Sequence, residues 1–413
     1  MDEIVVGIDV GTTKVCTLVG RVEDGQIIRI LGVGIEPSEG IRKGVIVDLE
    51  AASQAITKSV RLAEQTCGLE ISTALVSLAG AHVSSVNSRG AAGVPTGVVD
   101  PVDVARALEQ AGSVAIPHDR EIVHVVQRHF TLDGQEGIRT PVGMHGYKLE
   151  AEAHIITAAA ATVDNLRQCV GRAGVQVQQF VLNPLASAEV VLTDQDREMG
   201  VAVCDIGGGT TDLAIYVEGD VWHTMVLAVG GNQVTQDIAH GLRLSPQQAE
   251  DIKKQHGHAV RGEVGSEEFF TIRPIGEDKP VQINRQDLAY IIEARVAETC
   301  SLILQEIKRS GYDGLLPAGI VLTGGSSALP GIRRIASEVL GIPVRTAKPE
   351  NLVGMTDKLG SPSFSTSVGL LRWALTMHHH QLGFGPRRRS RRRGEPMVDF
   401  ERLKGWLKRL LPE

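Results

Sequence analysis

Two short segments of this 413-residue chain combine an acid with a run of glycine and threonine: Asp9-Val10-Gly11-Thr12-Thr13-Lys14 and Asp205-Ile206-Gly207-Gly208-Gly209-Thr210-Thr211-Asp212. A turn of that composition points successive backbone N–H groups at one spot, a nest for an anion such as a phosphate. Glycine permits the backbone angles that the nest requires. The acids Asp9 and Asp205 end the incoming apolar runs, where they could hold a hydrated Mg²⁺, an ion that favours carboxylates and retains waters. Either turn alone reads equally well as a tight hairpin. Two copies in one chain point to a shared ligand.

A third glycine site strengthens the reading. Ile320-Val321-Leu322-Thr323 runs as a buried strand into Gly324-Gly325-Ser326-Ser327, ahead of a helix starting near Pro330. Glycine there lets a flat base or a ribose approach the backbone closely.

These turns need strands to position them. Ile4 to Val19 alternates around an apolar run, turns at Gly11-Thr12-Thr13 and resumes, which predicts a β-hairpin, and Ile27 to Val33 extends the meander. After Asp48, residues Ala52, Ile56, Val60 and Ala63 fall at helical spacing, and Leu75 to Gly80 reads as a buried strand. The opening pattern returns at Val201 to Val217, so an internal duplication is expected.

From about Ala81 the texture turns to Gly, Ser and Asn. A helix capped by Asp100 with Pro101 in its first turn follows, then strand-like runs at Glu121 to Leu132 and Tyr147 to Ala158. The stretch predicts a small α+β insert. A helix from Thr162 and a strand over Val175 to Leu182 lead into Asn183-Pro184-Leu185-Ala186-Ser187-Ala188. Ser245-Pro246 starts another helix, a polar irregular stretch runs to about Asn284, and a long helix spans Gln286 to Arg309.

Composition bounds the possibilities. The length exceeds one ordinary core, so two or more domains are expected. Five scattered cysteines without a C-x-x-C pair argue against a disulfide framework and for a reducing cytoplasm. The chain opens on Asp2 and Glu3 without a leader pattern, and no apolar run reaches about 18 residues, so a protein that does not span a membrane is expected. The histidines show no metal-ligand spacing. The formal net charge of −7 hides a basic tail, with ten Lys/Arg against four acids from Pro386 onward. An acidic body is a poor nucleic-acid binder, and no nucleic-acid partner is expected.

The order of hairpin, N-P-L-A-S-A connector, D-I-G-G-G-T-T-D hairpin and T-G-G-S-S-A-L-P-G resembles the actin, sugar-kinase and heat-shock chaperone ATPase superfamily. Within it the chain is most similar to the bacterial cell-division family FtsA, through Gly40-Ile41-Arg42-Lys43-Gly44, Gly80-Ala81-His82-Val83, Gly230-Gly231-Asn232 and Ser365 to Leu371. The resemblance implies an α/β, actin-like (ribonuclease H-like) duplicated ATPase fold with a small α+β insert and a C-terminal amphipathic helix. It implies ATP with Mg²⁺ as ligand. Gly11, Thr12, Thr13 and Lys14 would cradle the phosphates from one side and Gly207, Gly208, Gly209, Thr210 and Thr211 from the other, with Asp9 and Asp205 orienting the metal through water. Gly231, Asn232, Glu250, Lys253, Gly324, Gly325 and Ser326 would meet the nucleoside. Read without the resemblance, Glu250 and Lys253 are an i,i+3 pair on a solvated face. Many relatives carry an acid before the connector proline, where this chain has Asn183. An amide cannot act as a general base, so binding with weak or absent hydrolysis is implied.

In Val398 to Leu411, residues Leu403, Trp406, Leu407, Leu410 and Leu411 follow the i, i+3, i+4, i+7 rule, with Arg402, Lys404, Lys408 and Arg409 on the other faces. Such a helix lies in the plane of an anionic membrane, each nearby basic residue contributing about 1 kcal/mol. The linker before it contains the run Arg387 to Arg393, whose position favours lipid headgroups over nucleic acid.

The expected partition is a first subdomain at 1–80 and 161–200, the insert at 81–160, and a second subdomain at 201–243 and 316–377. The second subdomain carries its own insert at 244–315, and a basic linker at 378–397 precedes a membrane-targeting helix at 398–412. The family resemblance implies self-assembly into filaments and tethering of FtsZ at the division septum, on the cytoplasmic face of the membrane, with other divisome proteins as partners. Arg285 and Arg295 are the candidates for an acidic FtsZ peptide; both also read as plain surface arginines. Rival readings are a pilus-assembly adaptor of the same superfamily, a soluble small-molecule kinase, or a chaperone-type ATPase.

Overall fold

The computed structural model describes residues 3–23 and 27–381. Contacts divide the chain into a compact unit, residues 1–375, and a second, 376–413, of which only helical backbone to Gln381 is described. The expected membrane-targeting helix and most of the linker lie outside the described residues.

The chain begins with β1 (Glu3–Val10), β2 (Lys14–Glu23) and β3 (Ile27–Pro37), a small hairpin of β4 (Ile41–Arg42) and β5 (Val45–Ile46), helix α1 (Leu49–Cys67) and β6 (Thr73–Leu78). Asp48 caps α1 by accepting from the amides of Glu50 and Ala51, and Gly68 closes it in the left-handed region. Its buried face is the one the spacing predicts, Ala52, Ile56, Val60 and Ala63. Each fully buried Ile or Val of this kind contributes roughly 1.5–3 kcal/mol.

The next stretch is β7 (Ser84–Gly93), α2 (Pro101–Gly112), β8 (Arg120–Leu132), β9 (Gln135–Ile138) and β10 (Lys148–Ala159), forming a separate four-stranded sheet ordered β7-β10-β8-β9. Then come α3 (Ala160–Arg172), β11 (Gln176–Leu182), α4 (Asn183–Val191) and α5 (Asp194–Met199). They are followed by β12 (Val201–Ile206), β13 (Thr211–Val217), β14 (Asp220–Leu227), α6 (Gly231–Leu242) and α7 (Pro246–His256). A small hairpin, β15 (Phe269–Ile272) and β16 (Val281–Asn284), precedes the long α8 (Arg285–Ser310). The series ends with β17 (Ile320–Thr323), α9 (Ile332–Leu340), β18 (Val344–Thr346), β19 (Val353–Gly354) and α10 (Ser365–Gln381).

The duplication is visible in sheet order. The first sheet reads β3-β2-β1-β6-β11, with β19 added outside β3, and the second reads β14-β13-β12-β17-β18. In both, an antiparallel meander continues into parallel strands beyond the strand that carries the buried aspartate. Asp9 pairs with Cys16 and Asp205 with Asp212, so the acids occupy the same place in the two hairpins.

One stretch left without an assigned element is a strand, and two expectations are corrected. The Gly/Ser/Asn texture after Ala81 forms β7, because the long apolar strand β10 supplies a partner from Ser84 to Gly93 that outweighs weak local β-propensity. The polar stretch before Asn284 contains the hairpin β15–β16. Residues 378–381, expected as linker, continue the α10 backbone.

The insert docks onto both halves through neutral histidines. His124 Nε2 accepts the Leu182 amide at 3.1 Å, and its ring meets Trp373 edge-on at 5.5 Å. His154 bonds Asn87 Oδ1 at 2.6 Å and Thr224 Oγ1 at 2.9 Å. Burial pushes the His124 imidazole down to about 4. Burial, reinforced by the charges of His223 and Arg128, takes His154 down to about 3. An unfolded histidine titrates near 6.5, so the unfolded state binds protons that the fold refuses. Stability is full above about pH 6.5 and falls as the pH drops towards 4. His124 alone accounts for on the order of 3 kcal/mol of that loss. Denaturation of His124→Gln against the parent from pH 7 to 4.5 should show a visibly shallower acid slope in the variant; equal slopes would remove His124 as the cause.

Candidate functional site

The two glycine-threonine turns close identically, Gly11 N–H donating to Lys14 O at 3.0 Å and Gly207 N–H to Thr210 O at 2.9 Å. Among the described residues, the amides of Thr12, Thr13, Gly208 and Gly209 donate to no protein acceptor, which leaves consecutive N–H groups in each turn for an anion. The turns abut: a Cβ at Gly208 would lie 2.3 Å from Thr13 Cγ2, and one at Gly209 would lie 2.6 Å from Thr12 Oγ1. Glycine is required here for close approach.

Below the turns lie the acids, both buried. Asp9 accepts from Ser77 Oγ at 3.2 Å and from Ser367 Oγ at 2.6 Å. Asp205 accepts from Ser187 Oγ at 2.5 Å and from Thr366 Oγ1 at 2.8 Å. Burial pushes the Asp205 carboxyl up, against those two hydrogen bonds. Asp212, 1% exposed, is pushed well up by burial and then by the Asp205 charge. It takes one bond from Thr210, and its Oδ1 has no partner among the described residues. A bare buried carboxylate oxygen beside a second carboxylate fits a divalent cation nearby, which would relieve both. No group of three or more acids, His or Cys among the described residues is placed to hold a metal directly, so the fit is through water.

The nucleoside candidates gather around the second turn. Gly231 and Asn232 donate their amides to Gly207 O and Gly208 O at 2.9 and 2.7 Å, and Ser326 Oγ donates to Gly207 O at 2.8 Å. Lys253 Nζ reaches Gly231 O at 3.1 Å, Thr235 Oγ1 at 2.9 Å and Glu250 at 2.6 Å. Burial raises the Glu250 carboxyl, but Lys253, Thr235 and Lys254 together outweigh it and the net shift is down. The pair is therefore part-buried against the start of α6, beyond a solvated i,i+3 contact. Gly324, at φ +84°, lies against Asp205, where a Cβ would come within 2.3 Å of Oδ1. Gly325 adjoins Ser363.

Other candidates sit differently. Lys14 is turned onto Ser363 O at 2.6 Å, Asp9 at 3.6 Å and the Phe364 ring at 4.7 Å, rather than left free beside the turn. Asn183 opens α4 one turn before Ser187, and its buried Oδ1 has no partner among the described residues. Arg285 is engaged by Glu268 and by His256 O, and Arg295 by Asp237 and Glu298, away from the turns. Residues 402–411 lie outside the described residues. Sequence reasoning missed Ser77, Ser187, Thr366, Ser367 and Asp212 as site residues; the hydroxyl-rich run Ser361 to Ser367 was the available signal.

Comparison with known proteins follows the same lines. The sequence profile described as Cell division protein FtsA matches residues 202–369, and that of the SHS2 domain inserted in FTSA matches residues 80–157. A protein named Cell division protein FtsA from Pseudomonas aeruginosa is 41% identical over 98% of this chain and 97% of its own. Among solved structures, the PilM–PilN type IV pilus biogenesis complex aligns with a TM-score of 0.64 at 15% identity, over 90% of this chain and 98% of that one. MreB5 of Spiroplasma citri bound to ADP aligns at 0.56 and 15%, over 92% and 99%. These likenesses show an actin-like fold.

Replacing Asp212 by Asn should raise the stability of the ligand-free protein by about 1 kcal/mol, because a buried carboxyl whose ionisation the site opposes gives way to a neutral amide. It should also abolish most of the extra thermal stabilisation that Mg²⁺ adds to bound nucleotide. Unfolding scans with ATP, with and without Mg²⁺, read both; an unchanged Mg²⁺ increment would exclude Asp212 from the metal's surroundings.

Proposed function

Because this chain belongs to the FtsA family of cell division proteins, we propose that it binds MgATP and assembles into actin-like filaments on the cytoplasmic face of the membrane. There it holds FtsZ polymers at the septum and helps recruit other divisome proteins. The observation that carries the reading is the pair of abutting glycine-threonine turns with free amides, set over buried aspartates from the two halves.

Mg²⁺, where bound, would supply neutralisation of the phosphate charge. The chain's own groups do the rest. The turn amides grip phosphate oxygens. Asp9 and Asp205, with Asp212 beside them, would orient the hydrated cation, and the Gly324-Gly325 turn would approach the nucleoside. Asn183 cannot take a proton from an attacking water, so turnover is weak.

The amphipathic pattern of 403–411 supports membrane association through Trp406 and the four leucines, with Arg402, Lys404, Lys408 and Arg409 meeting anionic headgroups. One such helix binds weakly, and a filament multiplies it by avidity. An acidic FtsZ segment docks on the 244–315 region by exchanging with Glu268 or with Asp237 and Glu298 for Arg285 and Arg295.

Co-sedimentation with anionic liposomes, with and without MgATP, tests the reading on the full chain and on a version ending at residue 385. Lipid-bound filaments from the full chain alone are expected. A full chain indifferent to anionic lipid would overturn the tethering role and favour a soluble relative of the same fold.

A further inference from the structure

The Gly40–Gly44 motif that marks the family resemblance has no part in the site described so far. Its tip is the two-residue turn Lys43-Gly44 between β4 and β5, with φ of +51° and +75°. Both central residues in the left-handed region make this a tight hairpin of the primed type, a strained choice for lysine. The hairpin is mounted rigidly. Gly40 O accepts the amides of Val47 and Asp48 at 2.8 and 3.1 Å, and Gly44 is so close to the end of β6 that a Cβ would lie 2.7 Å from Ala79 O.

That mounting carries the tip to the meeting point of the two anion turns. Gly44 N–H points to Thr12 Oγ1 at 3.4 Å, on the first turn. A Cβ at Gly209, on the second, would lie 3.1 Å from Lys43 Cα. Lys43 is exposed and has no ion pair among the described residues, whereas Lys14 is committed to Asp9 and Ser363. Lys43 therefore brings an uncommitted positive charge to this junction.

Direction along the cleft follows from the neighbours of the second turn. Ser326 and Gly231, beside Lys253, bond Gly207, while Lys43 lies at Gly209 on the other side of the turn. A nucleotide with its nucleoside on the Lys253 side ends its phosphate chain beside Lys43. Lysine is a compact charge on a flexible stem and suits a terminal phosphate, whose oxygens move with the ligand.

We infer that Lys43 is a specificity-determining residue that contacts the terminal phosphate of a nucleoside triphosphate and makes the site distinguish triphosphate from diphosphate. The inference rests on the ATP-binding reading above. Thr12 and Gly209 belong to different halves, so the hairpin tip lies against both.

The test is equilibrium binding of MgATP and MgADP to the full chain, to Lys43→Asn and to Lys43→Arg, by competition against a fluorescent nucleotide. Asparagine tolerates the left-handed backbone and removes the charge without straining the turn. Lys43→Asn should weaken ATP by about tenfold or more and ADP by less than about twofold, and Lys43→Arg should restore most of the difference. Equal losses for both nucleotides, or no loss for either, would overturn the role of Lys43 while leaving ATP binding intact. A parent chain that binds neither nucleotide would overturn the ATP-binding reading and this inference with it.

Discussion

Asp9 and Asp205 are buried at equivalent strand ends, one from each half, and each carboxylate must be solvated by protein alone. A carboxylate stripped of water costs several kcal/mol unless hydrogen bonds replace its hydration. The replacements here are neutral hydroxyls, joined at Asp9 by the Lys14 ammonium at 3.6 Å. Ser77 and Ser367 serve Asp9, and Ser187 and Thr366 serve Asp205. Thr366 and Ser367 are consecutive in the first turn of α10, so one short segment satisfies both halves. Ser365, bonded to Thr323 Oγ1 at 2.6 Å, fastens that segment to β17. The carboxylates fix where the turns sit, and the turns fix where an anion can sit. Asp212, with one hydroxyl and a bare oxygen, is the place where this compensation stops.

The insert solves a different problem. Strand β14 ends the second sheet and would present open carbonyls, an edge that invites unwanted pairing. Side chains of β7 cover it instead: Ser85 Oγ donates to Thr224 O at 3.0 Å and Asn87 Nδ2 to Trp222 O at 3.2 Å. Arg128 stacks over Trp222 at 3.9 Å and pairs with Glu152 at 3.2 Å, which offsets the buried charge, while its Nε has no partner among the described residues. The polar composition that hid β7 from strand prediction is what lets it cap a neighbouring sheet.

What was legible in the sequence was local. The hairpins, the cap of α1, the Asp100-Pro101 helix start and the long α8 all follow from spacing and end signals that act within a few residues. The duplication was legible because each half repeats the same short pattern. The missing parts depend on partners far along the chain. Ser367 reaches Asp9 across 358 positions, and Lys14 is turned aside by Ser363, 349 positions away. Arg295 looks like a free surface arginine until α6 brings Asp237 against it. A single sequence holds no periodic signal for such contacts.

Fold likeness and site chemistry carry different information. The alignment with the PilM–PilN complex covers 90% of this chain at 15% identity, so the architecture is shared while the residues are not. Within the site, binding and turnover draw on different elements. Under the proposed function the groups that suit a nucleotide are on the two hairpins, α6, α7 and the β17 turn, whereas the family resemblance assigns the general-base position to the first residue of α4. An amide at Asn183 leaves the binding elements untouched and withdraws only the proton acceptor. Ser187, one turn further along the same helix, still holds Asp205. The helix therefore keeps its hold on the buried aspartate through Ser187 while its first residue, an amide, offers no proton acceptor, and under the function proposed here that separation assigns the cleft to nucleotide binding rather than to turnover.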